Sequence, residues 1–288
     1  MTAMGVELRP AKIEDAQACG DICYRAFKKI AERHGFPPDF PTPEMAIGFL
    51  TMILSRSDVH ATVAERDGRV LGSNVVWRGG AIAGIGPITV DPEVQDGSIG
   101  RRLMEEALEW ASELGFEGVR LVQSAYHNRS LALYTKLGFD AREPLSTIQG
   151  PPLARTLAGS RVRAVSEEDV ERCNEVCIEV HGRDRAVELR DAIAQGTAQL
   201  VERRGRVTGY ATSIGFVGHA VARTNEDMKA LIAAAPAFFG PGFLLPTKNG
   251  DLLRWCLENG LRVVQPMTLM TMGHYEEPRG AFLPSILY

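Results

Sequence analysis

The chain has no apolar run approaching the ~20 residues of a membrane span, which excludes a transmembrane segment. Its polar start, Met1-Thr-Ala-Met-Gly-Val-Glu7, has none of the apolar stretch of a signal peptide. Positive charge is not in surplus: 32 Lys and Arg stand against 36 Asp and Glu, a net charge of −4. Divided at Gly150, the first part holds 16 basic and 20 acidic residues, and the remainder 16 of each. Neither part carries the basic excess that binding to a phosphate backbone requires, so no nucleic-acid partner is expected. Cysteine is scarce, with five residues and no spacing of a secreted disulfide scaffold. Cys19 and Cys23, then Cys173 and Cys177, are each four apart on one helical face, and His181 follows four residues later. Three ligands from one helix crowd a zinc tetrahedron poorly. The expectation is buried, reduced thiols, no metal and a cytoplasmic protein. Low-complexity segments are also absent.

What is there is length enough for two domains: 288 residues, 45% of them hydrophobic and 24% charged. The chain also repeats itself. Arg9-Pro-Ala-Lys-Ile-Glu-Asp15-Ala-Gln-Ala-Cys19-Gly-Asp-Ile-Cys23 is matched by Arg163-Ala-Val-Ser-Glu-Glu-Asp169-Val-Glu-Arg-Cys173-Asn-Glu-Val-Cys177. Val63-Ala-Glu65-Arg-Asp-Gly68-Arg69-Val70-Leu-Gly72 is matched by Leu200-Val-Glu202-Arg-Arg-Gly205-Arg206-Val207-Thr-Gly209. Leu137-Gly138-Phe139 with Pro144 is matched by Asn259-Gly260-Leu261 with Pro266. Three matches in one order argue for two copies of one fold. Gln149-Gly150-Pro151-Pro152 cannot continue a helix or a central strand, which places a linker near 149–160. The copies are then 1–150 and 160–288.

In copy one the patterning predicts strands at 5–9, 59–66, 69–78, 83–90, 118–124 and 139–148. Helices are predicted at 14–34, 43–55, 99–114 and 128–137. Antiparallel hairpins giving way to strand–helix–strand units mean an α/β domain with a mixed sheet.

Two segments bear on chemistry. After the β-branched strand ending Ile88-Thr89-Val90, Asp91-Pro92-Glu93-Val94 breaks the chain direction, and Gln95-Asp96-Gly97-Ser98-Ile99-Gly100-Arg101 opens a helix. Unpaired N–H groups and the helix dipole at such a turn suit a pyrophosphate, and glycines permit close approach. Further on, Asn128-Arg-Ser130-Leu-Ala-Leu-Tyr134-Thr-Lys-Leu137-Gly138-Phe139 reads as a helix capped by Asn128 and ended by Gly138. A tyrosine hydroxyl such as that of Tyr134 can donate a proton to a departing thiolate.

These segments, in this order, resemble the GNAT superfamily of N-acetyltransferases. Its cofactor pattern Gln/Arg-x-x-Gly-x-Gly/Ala falls on Gln95, Ser98 and Gly100, with serine where the family has glycine. Its pattern Asn-x-x-Ala/Ser-x-x-x-Tyr-x-x-x-Gly-Phe is similar to Ser130, Tyr134, Gly138 and Phe139, with His127 in the Asn position and Asn128 one residue late. The resemblance implies two tandem GNAT-like domains, each a mixed, mostly antiparallel twisted sheet flanked by helices. It implies acetyl-CoA as acyl donor and CoA as product, held by Ile88, Thr89, Val90, Gln95, Asp96, Gly97, Ser98, Ile99, Gly100, Arg101, Asn128, Ser130 and Tyr134. Strands splaying after Val90 would leave backbone groups near Ile88–Val90 for the pantetheine arm and a backbone N–H for the thioester carbonyl. Tyr134 would protonate the CoA thiolate. A left-handed backbone at position 98 would cost serine roughly 1 kcal/mol.

The general base stays open among His127, Tyr126, Ser124, Asp58, His60 and Glu93, with water as an alternative carrier. Copy two reads Ala222-Arg-Thr-Asn-Glu-Asp-Met228 where the phosphate turn should be, and the match at Gly260 sets Cys256 opposite Tyr134. Copy two is therefore expected to be degenerate, structural or part of the substrate pocket, with its apolar tail 282–288 as a last strand. The reading is a monomeric or homodimeric acetyl-CoA-dependent transferase acting on a small-molecule amine. A protein N-acetyltransferase, a non-catalytic acyl-CoA sensor and a longer acyl donor remain alternatives.

Overall fold

A computed structural model describes residues 5–95 and 98–287. In chain order the first copy runs β1 (Glu7–Pro10), α1 (Ala16–Arg33), α2 (Pro43–Leu54), β2 (Val59–Arg66), β3 (Arg69–Gly79), β4 (Ile82–Ile85), β5 (Thr89–Val90), α3 (Ile99–Glu113), β6 (Gly118–Ser124), α4 (Asn128–Lys136) and β7 (Asp140–Gln149). The second runs β8 (Arg161–Ala164), α5 (Val170–His181), α6 (Ala186–Ala194), β9 (Gln199–Arg203), β10 (Arg206–Ala211), β11 (Ala220–Ala222), α7 (Asn225–Ala234), β12 (Phe243–Pro246), α8 (Gly250–Glu258), β13 (Arg262–Gly273) and β14 (Ala281–Leu283). Each copy is a twisted, mostly antiparallel sheet flanked by helices. The expected strand 83–90 is two strands, because Pro87 has no N–H to donate and interrupts the ladder.

The chain forms two compact units. One comprises the described residues up to Asp140 with Met270–His274 and Leu287, and the other Ala141–Leu269 with Tyr275–Ile286. In the first, β1-β2-β3-β4-β6 are neighbours in that order, with β4 and β6 parallel and β5 on β3. The far end of β13 lies beside β6, where the His274 N–H donates to the Glu117 carbonyl at 2.8 Å. In the second unit β7 pairs antiparallel with β12, Leu145 facing Pro246 and Ile148 facing Phe243. The second sheet of this unit is β14-β11-β10-β9-β8. The compact division thus falls at Asp140 and not near Gly150: β7 beyond Asp140 belongs to the second unit, and Met270–Gly273 of β13 to the first.

The repeat in the sequence has a physical cause. Arg9 donates to Asp15 at 2.7 Å and to Glu65 at 2.5 Å, tying β1, the turn before α1 and β2 together. Arg163 does the same to Asp169 at 2.6 Å and Glu202 at 2.8 Å. All six residues lie in the matched segments. Both aspartates are buried, and their arginines hold the carboxyls below the ordinary range. Helix α3 buries Ile99, Leu103, Met104, Ala107 and Ala111, a stripe at helical spacing that packs on the sheet. All five cysteines are buried, and burial pushes the Cys19 thiol up to about 11 and those of Cys173 and Cys256 to about 12. Among the described residues no group of three or more His, Cys, Asp or Glu could hold a metal ion, and no helix is long and apolar enough to cross a membrane.

Candidate active site

In the first unit β4 and β6 pair only as far as Gly84 and Arg120. Beyond that point β5 follows β3 while β6, held on its other edge by β13, continues without a partner strand on this side among the described residues, so the sheet opens into a cleft. The parting begins before Ile88, earlier than the expected opening after Val90. Asp91 donates its N–H to the Leu71 carbonyl at 2.8 Å, and Gly72 is the register partner of Val90. In an antiparallel ladder, that alternation turns the N–H and C=O of Val90 away from β3 and toward the cleft. Gln95 donates its side-chain N–H to the Val90 carbonyl at 3.2 Å, which leaves the N–H as the outward donor on that edge.

The N-terminus of α3 stands over the cleft. Ser98 is its cap residue and is left-handed, at φ 62° and ψ 4°. The position therefore does have the backbone for which the family uses glycine. Gly100 explains itself by what surrounds it: a Cβ there would lie 3.6 Å from Val90 Cγ2 and 3.9 Å from Leu133 Cδ2. β5, α3 and α4 converge on this point, and any longer side chain would enter the space between them. Ile99 is buried among Val6, Ala64, Leu71 and Leu103, so it anchors the helix and does not line the cleft. Arg101 is exposed and paired with Glu105 at 3.1 Å. Ile88 is partly buried between two core clusters, and Thr89 is buried with no hydrogen bond to its hydroxyl among the described residues. Asp96 and Gly97 lie outside the described residues.

Relief of the left-handed serine is testable. Ser98→Gly is expected to gain about 0.5–1 kcal/mol, the left-handed penalty less the extra chain entropy of glycine. That corresponds to a rise of about 1–4 °C in thermal midpoint. A fall in the midpoint would show that the Ser98 side chain stabilises the turn more than its backbone costs.

Across the cleft, α4 carries Tyr134. The ring is buried, 6.1 Å from Phe139 between centroids, and burial pushes the hydroxyl up to about 12 although Ser130 hydrogen-bonds it. Ser130 Oγ also lies 2.5 Å from His127 Nδ1. His127, not Asn128, occupies the cap position; Asn128 is the first helical residue and is exposed. The expected Asn128 cap is corrected accordingly, and no side-chain cap bond is made by the residue at the cap. Gly138, at φ 99°, ends the helix as expected and lets the Phe139 N–H bond the Tyr134 carbonyl at 3.0 Å.

The candidate bases separate. Asp58 is held by Arg56 at 2.7 and 2.6 Å. His60 bonds Glu106 at 2.7 Å and stacks on Trp110. Both lie on or beside β2, with β3 between them and the cleft. Glu93 is exposed and paired with Arg69 at 3.2 Å. Ser124, Tyr126 and His127 remain together at the end of β6, where Phe36 stacks on Tyr126 at 4.4 Å and His34 stands 5.5 Å away.

The second copy shows what closes such a cleft. Gly209, the repeat partner of Gly72, pairs with Ala222 as Gly72 pairs with Val90. The edge corresponding to the open side of Val90 is covered: β14 pairs there, with Ala281 opposite Ala222 and Leu283 opposite Ala220. Leu283 and Ala281 share a buried core with Phe243 and Leu245 of β12. Only Arg223 and Thr224 separate β11 from α7, against residues 91–98 in the first copy, and Asp227 in the first turn is held by Thr224 and Arg203. Cys256, opposite Tyr134, is fully buried. Sequence reasoning anticipated the missing phosphate turn. It missed β14 in this role and the wall formed by Leu133, because neither carries a motif.

The acetyltransferase (GNAT) family matches residues 26–139. An IAA acetyltransferase of Azospirillum brasilense is 31% identical over 103 residues, which span 35% of this chain and 67% of the relative. The crystal structure of an assigned acetyltransferase from Pyrococcus horikoshii superposes with a TM-score of 0.76 at 18% identity, covering 98% of this chain and 95% of that one. A tandem GNAT protein from the clavulanic acid biosynthesis pathway superposes at 0.56 with 15% identity, covering 93% and 98%. Both superpositions speak for the fold.

Proposed function

The chain belongs to the GNAT family of acetyltransferases, and on that premise we propose that it moves an acetyl group from acetyl-CoA to a primary amine of a small molecule at one site, in the first copy. The observation that carries this reading is the contrast between two equivalent clefts. Among the described residues no strand covers the outer edge of β5 at Val90, beside the first turn of α3 and Leu133 of α4, whereas the edge at Ala222 is filled by the chain's own β14.

The residues present fit the acyl donor. Gly100 leaves a space that a side chain would fill, and the α3 N-terminus offers N–H groups for the pyrophosphate. The proposed contacts are Ile88, Thr89 and Val90 along the pantetheine edge, with Gln95, Asp96, Gly97, Ser98, Gly100 and Arg101 at the turn. Acetyl-CoA supplies the thioester carbonyl to be attacked and the thiolate to be expelled. In this reading the Val90 N–H, turned away from β3, stabilises negative charge on that carbonyl oxygen, and Tyr134 donates the proton to sulfur. The stacked Phe36 and Tyr126 put two aromatic rings just past the end of β6, which favours a small acceptor over a protein segment.

The test is thiol release from acetyl-CoA by the full chain against a panel of primary amines, a set of peptides with free amines and, separately, IAA, for which the Azospirillum relative is named. Turnover with an amine supports the reading. Micromolar binding of acetyl-CoA with no turnover on any acceptor favours the sensor, and turnover only on peptides favours the protein N-acetyltransferase.

A further inference from the structure

Three side chains at the start of α4 form a line. His127 precedes the helix, Ser130 follows one turn in, and Tyr134 lies a turn beyond, so all three share one helical face. Ser130 Oγ reaches His127 Nδ1 on one side and the Tyr134 hydroxyl on the other. The family pattern would make Ser130 and the residue at position 127 contacts of the acyl donor. Here His127 Nδ1 and Ser130 Oγ are turned to each other.

Resting on the acetyltransferase reading, we propose that His127 and Ser130 form a proton relay that recharges Tyr134 as it gives its proton away. As the amine nitrogen bonds to the acetyl carbon, it loses a proton through water to His127 Nε2. His127 Nδ1–H passes its own proton to Ser130 Oγ, and Ser130 passes its hydroxyl proton to Tyr134 Oη. Tyr134 delivers its proton to the sulfur as the carbon–sulfur bond breaks. One N–H proton has left the amine, one S–H has formed, and no residue has changed its net charge. The ring regains its starting tautomer by exchange with water, which its half-buried position permits.

The relay answers a difficulty in the simple scheme. A phenol held near 12 is a weaker acid than a thiol, whose ordinary value is near 8.5, so donation to the thiolate is uphill if phenolate is left behind. Reprotonation in the same step removes that obstacle. His127 need not become charged, which suits its surroundings: burial, with Arg129 and His34 nearby, holds it down at about 4. A neutral imidazole accepts at one nitrogen and donates at the other.

The experiment measures kcat, KM and acetyl-CoA affinity for His127→Ala, His127→Gln and Ser130→Ala, alone and combined with Tyr134→Phe. The expected loss in kcat is roughly 10²-fold for His127→Ala, with acetyl-CoA affinity unchanged within about twofold. Added imidazole should restore His127→Ala in part, and none of the three should lower turnover further once Tyr134 is Phe. His127→Gln keeps a hydrogen-bonding side chain but no tautomers, so a loss there separates relay from packing. Full turnover in the His127 variants while Tyr134→Phe is inactive overturns the relay. So does a rise in KM for acetyl-CoA with kcat intact, which would return both residues to donor binding. Absence of turnover by the wild type on every acceptor overturns the acetyltransferase reading itself, and the relay with it.

Discussion

Tyr134→Phe is expected to lower kcat by about 10²–10⁴-fold, the usual contribution of a positioned acid, while acetyl-CoA binding survives. The substitution keeps the ring buried against Phe139 in the core of the first unit and removes one oxygen, so the fold should hold. The pH profile gives a second check with a definite sign. Because the hydroxyl is raised to about 12, its proton-bearing form persists on the alkaline side until pH approaches that value. Wild-type activity should therefore show no fall due to Tyr134 between pH 7 and about 11, where an ordinary tyrosine would have begun to ionise near 10. Unchanged turnover of the Phe variant at saturating amine and acetyl-CoA would remove Tyr134 from the reaction. A large rise in KM for acetyl-CoA alone would make it a wall of the cleft.

Much of the first copy was legible because its signals are local. Alternation predicts strands at 59–66, 69–78 and 118–124, and helical spacing predicts helices at 99–114 and 128–137; the observed bounds differ by a residue or less. The left-handed backbone at Ser98 was also within reach, since the position was marked by a family glycine. What the sequence did not reveal is long-range. That β14 covers β11, and that the far end of β13 lies beside β6 in the first unit, depends on partners more than 50 residues apart. A strand's own residues state which face is apolar, not which edge it will meet. The break at Pro87 was visible in principle, because a residue without an N–H cannot sit mid-ladder. Asn128 failed as a cap for a smaller reason: the helix starts one residue earlier than a cap at Asn128 requires.

Gly100→Glu is expected to cost the protein at least 100-fold in acetyl-CoA affinity, which is about 2.7 kcal/mol or more. Gly100→Ala should bind nearly as the wild type does. The distinction rests on distances: a Cβ at this position meets Val90 Cγ2 at 3.6 Å and Leu133 Cδ2 at 3.9 Å, both ordinary contacts, so alanine fits without displacing a neighbour. Every atom past Cβ must occupy the space where β5, α3 and α4 converge, and a carboxylate there also repels a pyrophosphate. A thermal midpoint measured on the same variant separates lost binding from lost folding, since an acidic residue in the first turn of α3 gains from the helix dipole while the added bulk strains the packing. Gly100→Gln, similar in size and uncharged, divides the loss between bulk and charge. If the glutamate variant binds acetyl-CoA as tightly as the wild type, the donor does not lie across Gly100. The open edge at Val90 would then need another occupant, even though its counterpart at Ala222 is satisfied by a strand of the same chain.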